Sequence, residues 1–403
     1  MTSEQFYGEY GIPEYTGEGK LLDIYPCGSS NYQLCVVGAT ESEASEYISR
    51  LAERGYSLKR DIRLCKNVFA EYVKNGSSAL VSYMPGISTL RVTCGKEREL
   101  PKFEGVGDSS EAEPIVAQIG IRLGMCYCIA LKDGTFAIVD GGCGNDRDVA
   151  LLYSYLCERT KNGEKPIVSA WFMSHTHPDH MDLACDFMTR YRDEVDVRCA
   201  VYNFPNFQTL EVLNESAENN YARAQRFVAC VRDNYPNALH YVCHTGQSLQ
   251  LAGVKVTTLM THEDIYPLPI KSSNHTSCAW RFDFESGSSF MCLGDIWREM
   301  CEQMAKTFDA SYLKADVMQV THHGLLGGHI DLYRAIDPET VLWPSPEDRF
   351  KGEFVDMRPS RAGKPTVQYC IGEGGCDYNA WIRDDAIKKR AHYHMGKTVE
   401  IPM

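Results

Sequence analysis

The chain of 403 residues lacks an apolar run long enough to cross a membrane. Its first 20 residues also lack the basic-then-apolar pattern of a secretion signal. Both absences favour a cytoplasmic protein with no membrane partner. No internal repeat and no low-complexity block is visible. Since the length exceeds what one ordinary hydrophobic core accommodates, the sequence predicts two domains.

The 17 cysteines include no Cys-x-x-Cys pair, which argues against a zinc ribbon and against a thioredoxin-type site. They are scattered, odd in number and often placed inside apolar runs, as at Cys128, Cys199 and Cys292. This distribution is typical of reduced thiols that pack as small apolar side chains.

Positive charge is scarce: 41 Lys and Arg face 54 Asp and Glu, which gives a net charge of −13. Such a balance opposes long-range attraction of nucleic acid, so the sequence favours a small-molecule or short anionic substrate. Nucleic acid is the less favoured partner, and a homo-oligomer is compatible with the sequence. Two basic clusters near the C-terminus fit a solvated surface better than an anion site; they contain Arg349, Lys351, Arg358, Arg361 and Lys364, then Arg383, Lys388, Lys389 and Arg390.

Residues 1–105 carry no recognisable catalytic motif and predict a small α+β domain of unknown role. The capping box from Thr40 to Glu43 predicts a helix that ends near Arg54. Four segments rich in β-branched and aromatic residues follow, and Asn75-Gly76 predicts a hairpin turn between two of them. An architectural role is favoured over substrate shaping or dimer contact. A linker is predicted over residues 96–113, which leaves residues 106–403 as the second domain.

The stretch from Ser174 to His180 places three histidines and an aspartate within six residues. Imidazole nitrogens and carboxylate oxygens are ligands that zinc prefers, with manganese and iron as alternatives. His175 and His177 lie two residues apart, so they point the same way in extended backbone. Asp179 and His180 are adjacent and need a turn, which Pro178 is suited to begin.

This pattern resembles the His-x-His-x-Asp-His signature of the metallo-β-lactamase superfamily. The resemblance implies an αββα sandwich with two metal ions at one edge, here preceded by the small α+β domain. It also implies roles for later residues. Val139-Asp140-Gly141 is similar to the turn whose aspartate orients the metal loop from outside the ligand shell. Asp295, after Leu293-Gly294, is similar to the aspartate that bridges the two metals.

His322 and His323, at the end of a predicted strand, supply the last ligand, and the sequence leaves open which of the two it is. Together with Asn274-His275-Thr276-Ser277, these turns are similar to the metallo-hydrolase domain of bacterial DNA-uptake channel proteins. The resemblance covers about residues 114–345, without the membrane part of those proteins.

One expected histidine of the first metal site has no obvious motif here. The candidates, each more typical of a structural residue, are His240, His244, His262 and His275. His244, which precedes Gly246 after a predicted strand, is included among the predicted ligands. The full predicted ligand set is His175, His177, Asp179, His180, His244, Asp295, His322 and His323.

The resemblance implies a hydrolase in which two divalent ions convert water to hydroxide near neutral pH. Asp179 is predicted to orient that water as well as bind metal. Whichever of His322 and His323 is not a ligand, or His275, is predicted to protonate the leaving group. No serine or cysteine nucleophile is then needed. A phosphodiester or phosphate ester is the favoured substrate; a lactone, amide or thioester is the alternative. An iron-dependent oxidoreductase and a non-catalytic binding module are the alternatives from other classes.

Overall fold

The computed structural model describes residues 3–28, 31–103, 112–161, 163–207, 217–265, 270, 272–325, 327–347 and 391–403. Both basic clusters of the C-terminal region fall outside these ranges, as does the predicted domain boundary at residue 105. Among the described helices, none combines the length and the apolar character that a membrane span requires.

The N-terminal part forms a six-stranded antiparallel sheet with two helices. Its elements are α1 (Ser3–Tyr10), β1 (Lys20–Pro26), β2 (Tyr32–Val37), α2 (Glu41–Glu53), β3 (Ser57–Leu64), β4 (Asn67–Lys74), β5 (Ser77–Met84) and β6 (Thr89–Lys96). The strand order is β1-β2-β6-β5-β4-β3. The predicted single helix therefore has a second one beside it, α1, whose Phe6 is fully buried in the same core.

Local signals in this part act as the sequence predicts. The Thr40 hydroxyl accepts from the Glu43 N–H at 3.2 Å, and the Glu43 carboxylate accepts from the Thr40 N–H at 2.6 Å, so the capping box of α2 is formed. Asn75 and Gly76 both have positive φ, 50° and 77°, between β4 and β5. Two left-handed residues in a two-residue loop are the geometry that matches the twist of a hairpin.

Two further sheets pack face to face after Pro114. Their strands are β7 (Ile115–Gln118), β8 (Tyr127–Ala130), β9 (Phe136–Val139), β10 (Ile167–Met173), β11 (Asp196–Val197), β12 (Cys199–Tyr202), β13 (Leu239–Val242), β14 (Ser248–Leu251), β15 (Val254–Met260), β16 (Ala279–Phe284), β17 (Ser289–Cys292), β18 (Val317–Gln319), β19 (Thr340–Pro346), β20 (Ala391–Met395) and β21 (Val399–Pro402). One sheet has the order β13-β12-β10-β9-β8-β7-β21, with β11 beside β10. The other runs from β14 to β20 in sequence order.

Helices cover the outer face of each sheet. They are α3 (Asp146–Arg159), α4 (Pro178–Arg190), α5 (Ala217–Asn234), α6 (Arg298–Thr307), α7 (Ala310–Leu313) and α8 (Ile330–Ile336). The first three pack on the β7–β13 sheet and the last three on the β14–β20 sheet. Between the sheets lies an aromatic core in which Phe172 meets Trp280 with ring centroids 5.3 Å apart. The predicted αββα sandwich is confirmed.

The strands that lead to the site run parallel to their neighbours. β9, β10, β12 and β13 are mutually parallel, as are β17, β18 and β19. Carboxyl ends of parallel strands share one sheet edge, so the loops that follow them lie together. The helix α4 begins at Pro178, within the histidine-rich stretch, where the sequence predicts a turn. Proline is favoured in the first turn of a helix because its missing N–H needs no partner there.

Candidate metal centre

Asp140, directly after β9, organises the first part of the site. It is fully buried and has a left-handed backbone with φ 57°. Its Oδ1 accepts from the Ser174 N–H, and its Oδ2 from the Ser174 hydroxyl, each at 2.7 Å. His180 Nδ1 lies 2.8 Å from the same Oδ2. A proton on Nδ1 satisfies this contact, so the lone pair of His180 is on Nε2, where a metal would bind.

The histidine-rich stretch begins directly after β10, which ends at Met173. His175 is buried, with Nδ1 3.0 Å from the Ser174 hydroxyl, and its ring centroid is 4.7 Å from that of the half-buried His177. The first turn of α4 then carries Asp179 and His180 toward the same point. The N–H of Gly141 donates to the His180 carbonyl at 2.6 Å, which fixes α4 against the Asp140 turn.

Asp295 comes from the other sheet, after β17 and the left-handed Gly294. Its Oδ2 lies 3.2 Å from His180 Nε2, 3.5 Å from His323 Nε2 and 3.9 Å from His175 Nε2. Its Oδ1 and the Nε2 of His175 are buried without a hydrogen-bond partner. Buried polar atoms are normally paired, so two orphaned ligand atoms at one point fit a metal site.

The turn after β18 settles the positions of the two adjacent histidines. His322, His323 and Gly324 all have positive φ, 50°, 55° and 76°. His323 Nδ1 lies 2.8 Å from the Pro344 carbonyl, and its Nε2 lies 3.2 Å from Asp179 Oδ2. The Nε2 atom of His322 contacts Asn274 and not the carboxylates of this cluster.

Two groups of side chains are close enough to hold a cation. One is His175, His180 and Asp295; the other is Asp179, His180 and His323. Within each group the ligand atoms lie within 4.8 Å of one another, and the groups share His180. Five predicted residues from both sheets thus form one continuous cluster, and His177 adjoins it through His175.

The cluster has a strong electrostatic character. Burial lowers the pKa of His175 well below its usual value, with help from His180 and His177, so this imidazole is neutral. Burial also opposes a positive charge on His180 and His323. For His180, the nearby carboxylates of Asp295 and Asp140 outweigh burial, and for His323 those of Asp295 and Asp179 do so. The pKa of His180 is well above its ordinary value, and that of His323 rises to about 10.

The carboxylates respond in the opposite direction. Burial raises the pKa of Asp179 and Asp295, but contact with His323 and His180 outweighs it and holds both pKa values below the usual range. Ionised carboxylates facing imidazoles in a buried site create a potential that favours cations.

Two other predicted site residues lie outside these groups. His244 Nδ1 is 2.8 Å from Glu263 Oε2, and neither group of candidate ligand atoms includes His244, so the structure does not support its prediction as a ligand. His275, predicted as a proton donor, is buried with Nε2 3.6 Å from Glu299 and its ring 4.5 Å from that of Trp297.

The remaining histidines considered for the first metal site also have other neighbours. His240 Nδ1 lies 3.2 Å from the Tyr202 hydroxyl, and His262 Nε2 lies 2.6 Å from the Cys27 carbonyl. His322 Nε2 lies 3.1 Å from the Asn274 amide nitrogen. Within the described part of the chain, therefore, no further histidine completes the group around His175.

Sequence reasoning misses Ser174 as a structural member of the site. Its hydroxyl and N–H connect Asp140 to the metal loop, and it lies beside His175. The available signal is its place between a mostly apolar strand and the first histidine, where a buried hydroxyl requires partners.

The αββα sandwich carries this cluster of candidate metal ligands at the edge where both sheets end. No protein-family model matches the sequence, and no curated protein is similar to it. Solved structures of similar shape include CmlA, a diiron β-hydroxylase from Streptomyces venezuelae, at 12% identity and a TM-score of 0.41. That similarity covers 72% of this chain and 54% of CmlA, so the chain spans about half the length of that protein.

YhfI from Bacillus subtilis, a metallo-β-lactamase fold protein, is similar at 13% identity and a TM-score of 0.34, over 57% of this chain and 85% of YhfI. A metallo-β-lactamase-like protein from Thermotoga maritima is similar at 14% identity and a TM-score of 0.29, over 45% of this chain and 79% of that one. These TM-scores are too low for the three proteins to indicate the function of this chain.

Proposed function

We propose that this protein is a metal-dependent hydrolase that cleaves a phosphodiester or phosphate ester. The observation that carries the proposal is the convergence of His175, Asp179, His180, Asp295 and His323 on one buried cluster with orphaned ligand atoms. Divalent cations held there would lower the pKa of a coordinated water to near 7 and neutralise negative charge that develops on the substrate. Zinc suits the mixed imidazole and carboxylate set, with manganese and iron as alternatives.

The protein's own side chains then have distinct roles. Asp295, close to three histidines from two loops, would bridge the two ion positions. Asp179 is about one-third exposed, so its carboxylate can orient water as well as bind metal. The Asn274 amide donates to His322 Nε2, which leaves the imidazole proton on Nδ1. Since His322 stands beside the ligand His323 and is half-buried, it replaces His275 as the preferred proton donor to the leaving oxygen.

The ester preference is supported by the motifs at Asn274–Ser277, Leu293–Asp295 and His322–Gly324, which are similar to those of the DNA-uptake branch. A lactone, amide or thioester is the alternative substrate. The test is hydrolysis of bis(p-nitrophenyl) phosphate and of a lactone panel by protein loaded with zinc or manganese, beside metal analysis. Activity on the lactones alone would overturn the phosphodiester assignment. Bound iron with an optical iron spectrum and no hydrolysis would indicate an oxidoreductase instead.

The variant that tests the metal centre is His177→Ala. It removes a predicted ligand whose side chain is half-buried at the surface of the cluster. We expect hydrolysis to fall at least about 100-fold, with the far-UV spectrum and unfolding midpoint retained. The control is His329→Asn, at the N-terminal cap of α8, where asparagine also serves as a cap. Full activity in His177→Ala would remove the proposed mechanism.

A further inference from the structure

A cavity of about 570 Å³ is lined by residues of both the N-terminal part and the sandwich. We name it the aromatic recess and define it by the lining residues Asn31, Arg98, Tyr202, Phe204, Phe207 and Tyr221. Its volume is within the range of small-molecule sites, about 300–1,000 Å³. The metal ligands are not among its lining residues.

The topology places the aromatic recess at the functional edge of the sheet. Tyr202 and Val242, which also line it, are the last residues of β12 and β13. These strands are parallel to β10, whose carboxyl end continues into the metal loop. Another cavity, of about 600 Å³, is lined by Ile167 and Val197 and lies instead at the other end of the same strands. Ligands of open parallel sheets bind beyond the carboxyl ends, which favours the aromatic recess.

A hydrogen bond connects α5, the helix that lines the aromatic recess, to the metal loop. The Thr176 hydroxyl, between His175 and His177, donates to the Asn220 side-chain oxygen at 3.1 Å, and both side chains are buried. Asn220 precedes Tyr221, which lines the recess from α5. The helix α5 therefore both lines the aromatic recess and contacts the loop that carries the first two histidines.

The lining indicates the chemistry of the ligand. Tyr202 and Phe204 are stacked, with centroids 4.7 Å apart and planes inclined by 21°. Tyr221 is 37% exposed and Phe207 is buried. Aromatic faces of this kind bind planar rings by stacking. Arg98 is exposed, and within the described ranges it forms no ion pair, although the whole chain is acidic. A free guanidinium at an aromatic wall favours a ligand that is both planar and anionic.

We propose that the aromatic recess binds a planar aromatic anion. Resting on the proposed function, we further infer that this anion is the aromatic portion of the ester that the metal centre cleaves. The N-terminal part of the chain then has a binding role, because Asn31 and Arg98 come from it. Substrate shaping, rather than architecture alone, becomes its function.

The test is calorimetric titration of the metal-loaded protein with 2-naphthalenesulfonate and, separately, with methanesulfonate. Sulfonates are weak metal ligands, so the comparison reports on the aromatic recess. We expect the naphthalene compound to bind at least about tenfold more tightly. Tyr221→Ala and Arg98→Gln should each weaken its binding by about fivefold or more. The matched controls Leu58→Ala and Arg63→Gln remove an exposed apolar residue and an exposed guanidinium outside the recess, and should change nothing.

The outcomes separate the two proposals. Naphthalenesulfonate binding should survive in His177→Ala, where the proposed hydrolysis is lost, and in active protein it should inhibit hydrolysis competitively. Equal affinity for the two sulfonates, or recess variants that match their controls, would overturn the aromatic site and leave the hydrolase proposal intact. Retained binding without any ester hydrolysis would overturn the proposed function while supporting the recess. Tight binding with non-competitive inhibition would overturn the inference that the recess holds the substrate.

Discussion

At the scale of single residues, the site is built on backbone conformations that L-amino acids rarely adopt. Asp140, His322 and His323 are all left-handed without being glycine. Each such residue costs on the order of 1 kcal/mol or more, and it persists only where its surroundings hold it. Asp140 is held by three hydrogen-bond contacts to Ser174 and His180, and His323 by the Pro344 carbonyl. Two of the three, Asp140 and His323, orient or supply ligand atoms, although positive φ also occurs outside the site, for example at Asn75 and Ser88.

Asp140→Asn is predicted to weaken metal binding by about 10- to 100-fold. An amide has one accepting oxygen, so it cannot accept both from the Ser174 N–H at the Oδ1 position and from the Ser174 hydroxyl and His180 at the Oδ2 position. Chelator competition on the purified protein measures the change. Asp148→Asn is the matched control. Asp148 is a buried aspartate outside the cluster, and its carboxylate accepts a hydrogen bond of 2.8 Å from the Arg122 N–H. Wild-type metal affinity in Asp140→Asn would show that its contacts do not orient the ligands.

The adjacent histidines are predicted to differ sharply. His323→Ala removes the imidazole that lies 3.2 Å from Asp179, so about one metal equivalent per chain should be lost. His322→Ala should retain full metal content and lower only turnover, since its Nε2 faces Asn274. Metal analysis after gel filtration distinguishes them. Equal metal loss in both variants would contradict the assignment of His323 as the ligand.

At the scale of elements, each functional loop is short and follows a buried strand. β10 is almost wholly buried and passes directly into the metal loop, after which α4 begins at Pro178. Because α4 begins at Pro178, Asp179 and His180 lie in its first turn, where regular helix geometry fixes their orientation. The loop after β18 obtains the same rigidity differently, through three successive left-handed residues and a hydrogen bond from the Trp343 indole to the His323 carbonyl at 3.2 Å.

Gly324→Ala is predicted to destabilise this loop by about 2–4 kcal/mol. The added Cβ would overlap the Trp343 ring, and its φ of 76° is unfavourable for alanine. Gly134→Ala is the control, because its φ is 80° but nothing lies within 4 Å of the added carbon. That variant should lose only about 1–2 kcal/mol. Urea unfolding measures both, and equal losses would show that contact with Trp343 has no cost.

At the scale of the whole molecule, the N-terminal sheet is joined to the sandwich by buried polar contacts. Asn67 donates to the Thr307 carbonyl at 2.7 Å, Arg91 to the Asp264 carbonyl, and the His262 ring to the Cys27 carbonyl at 2.6 Å. Buried hydrogen bonds of this kind fix relative position, since breaking one leaves its partner unsatisfied. This rigid attachment is what allows Arg98 to line the aromatic recess together with residues of the sandwich.

Asn67→Ala is predicted to lower the free energy of unfolding by about 1–3 kcal/mol, because the Thr307 carbonyl is left without its donor. Hydrogen exchange should rise on both sides of the contact. Asn234→Ala removes a comparable bond, to the Cys230 carbonyl at 2.8 Å, at the end of its own helix. It should increase exchange only there. Exchange confined to β4 in Asn67→Ala would show that the two parts are not coupled through this bond.

The sequence by itself determined the features that depend on near neighbours. The capping box at Thr40 and the Asn75-Gly76 turn follow from local backbone preference, and the buried strand before His175 follows from a continuous run of mostly apolar residues. The structure has all three. The sandwich architecture was predicted through the resemblance of the histidine-rich stretch and the later turns to a known superfamily, and not from the strands alone.

Only the tertiary structure decided which imidazole meets which carboxylate. His323 rather than His322 joins Asp179, 144 positions earlier in the chain, and His244 contacts Glu263 without belonging to either ligand group. β21 completes the sheet by pairing with β7, nearly 300 residues before it. Such pairings depend on how distant segments pack, and a left-handed turn reverses the direction of a side chain without leaving any local signal except the glycine that follows.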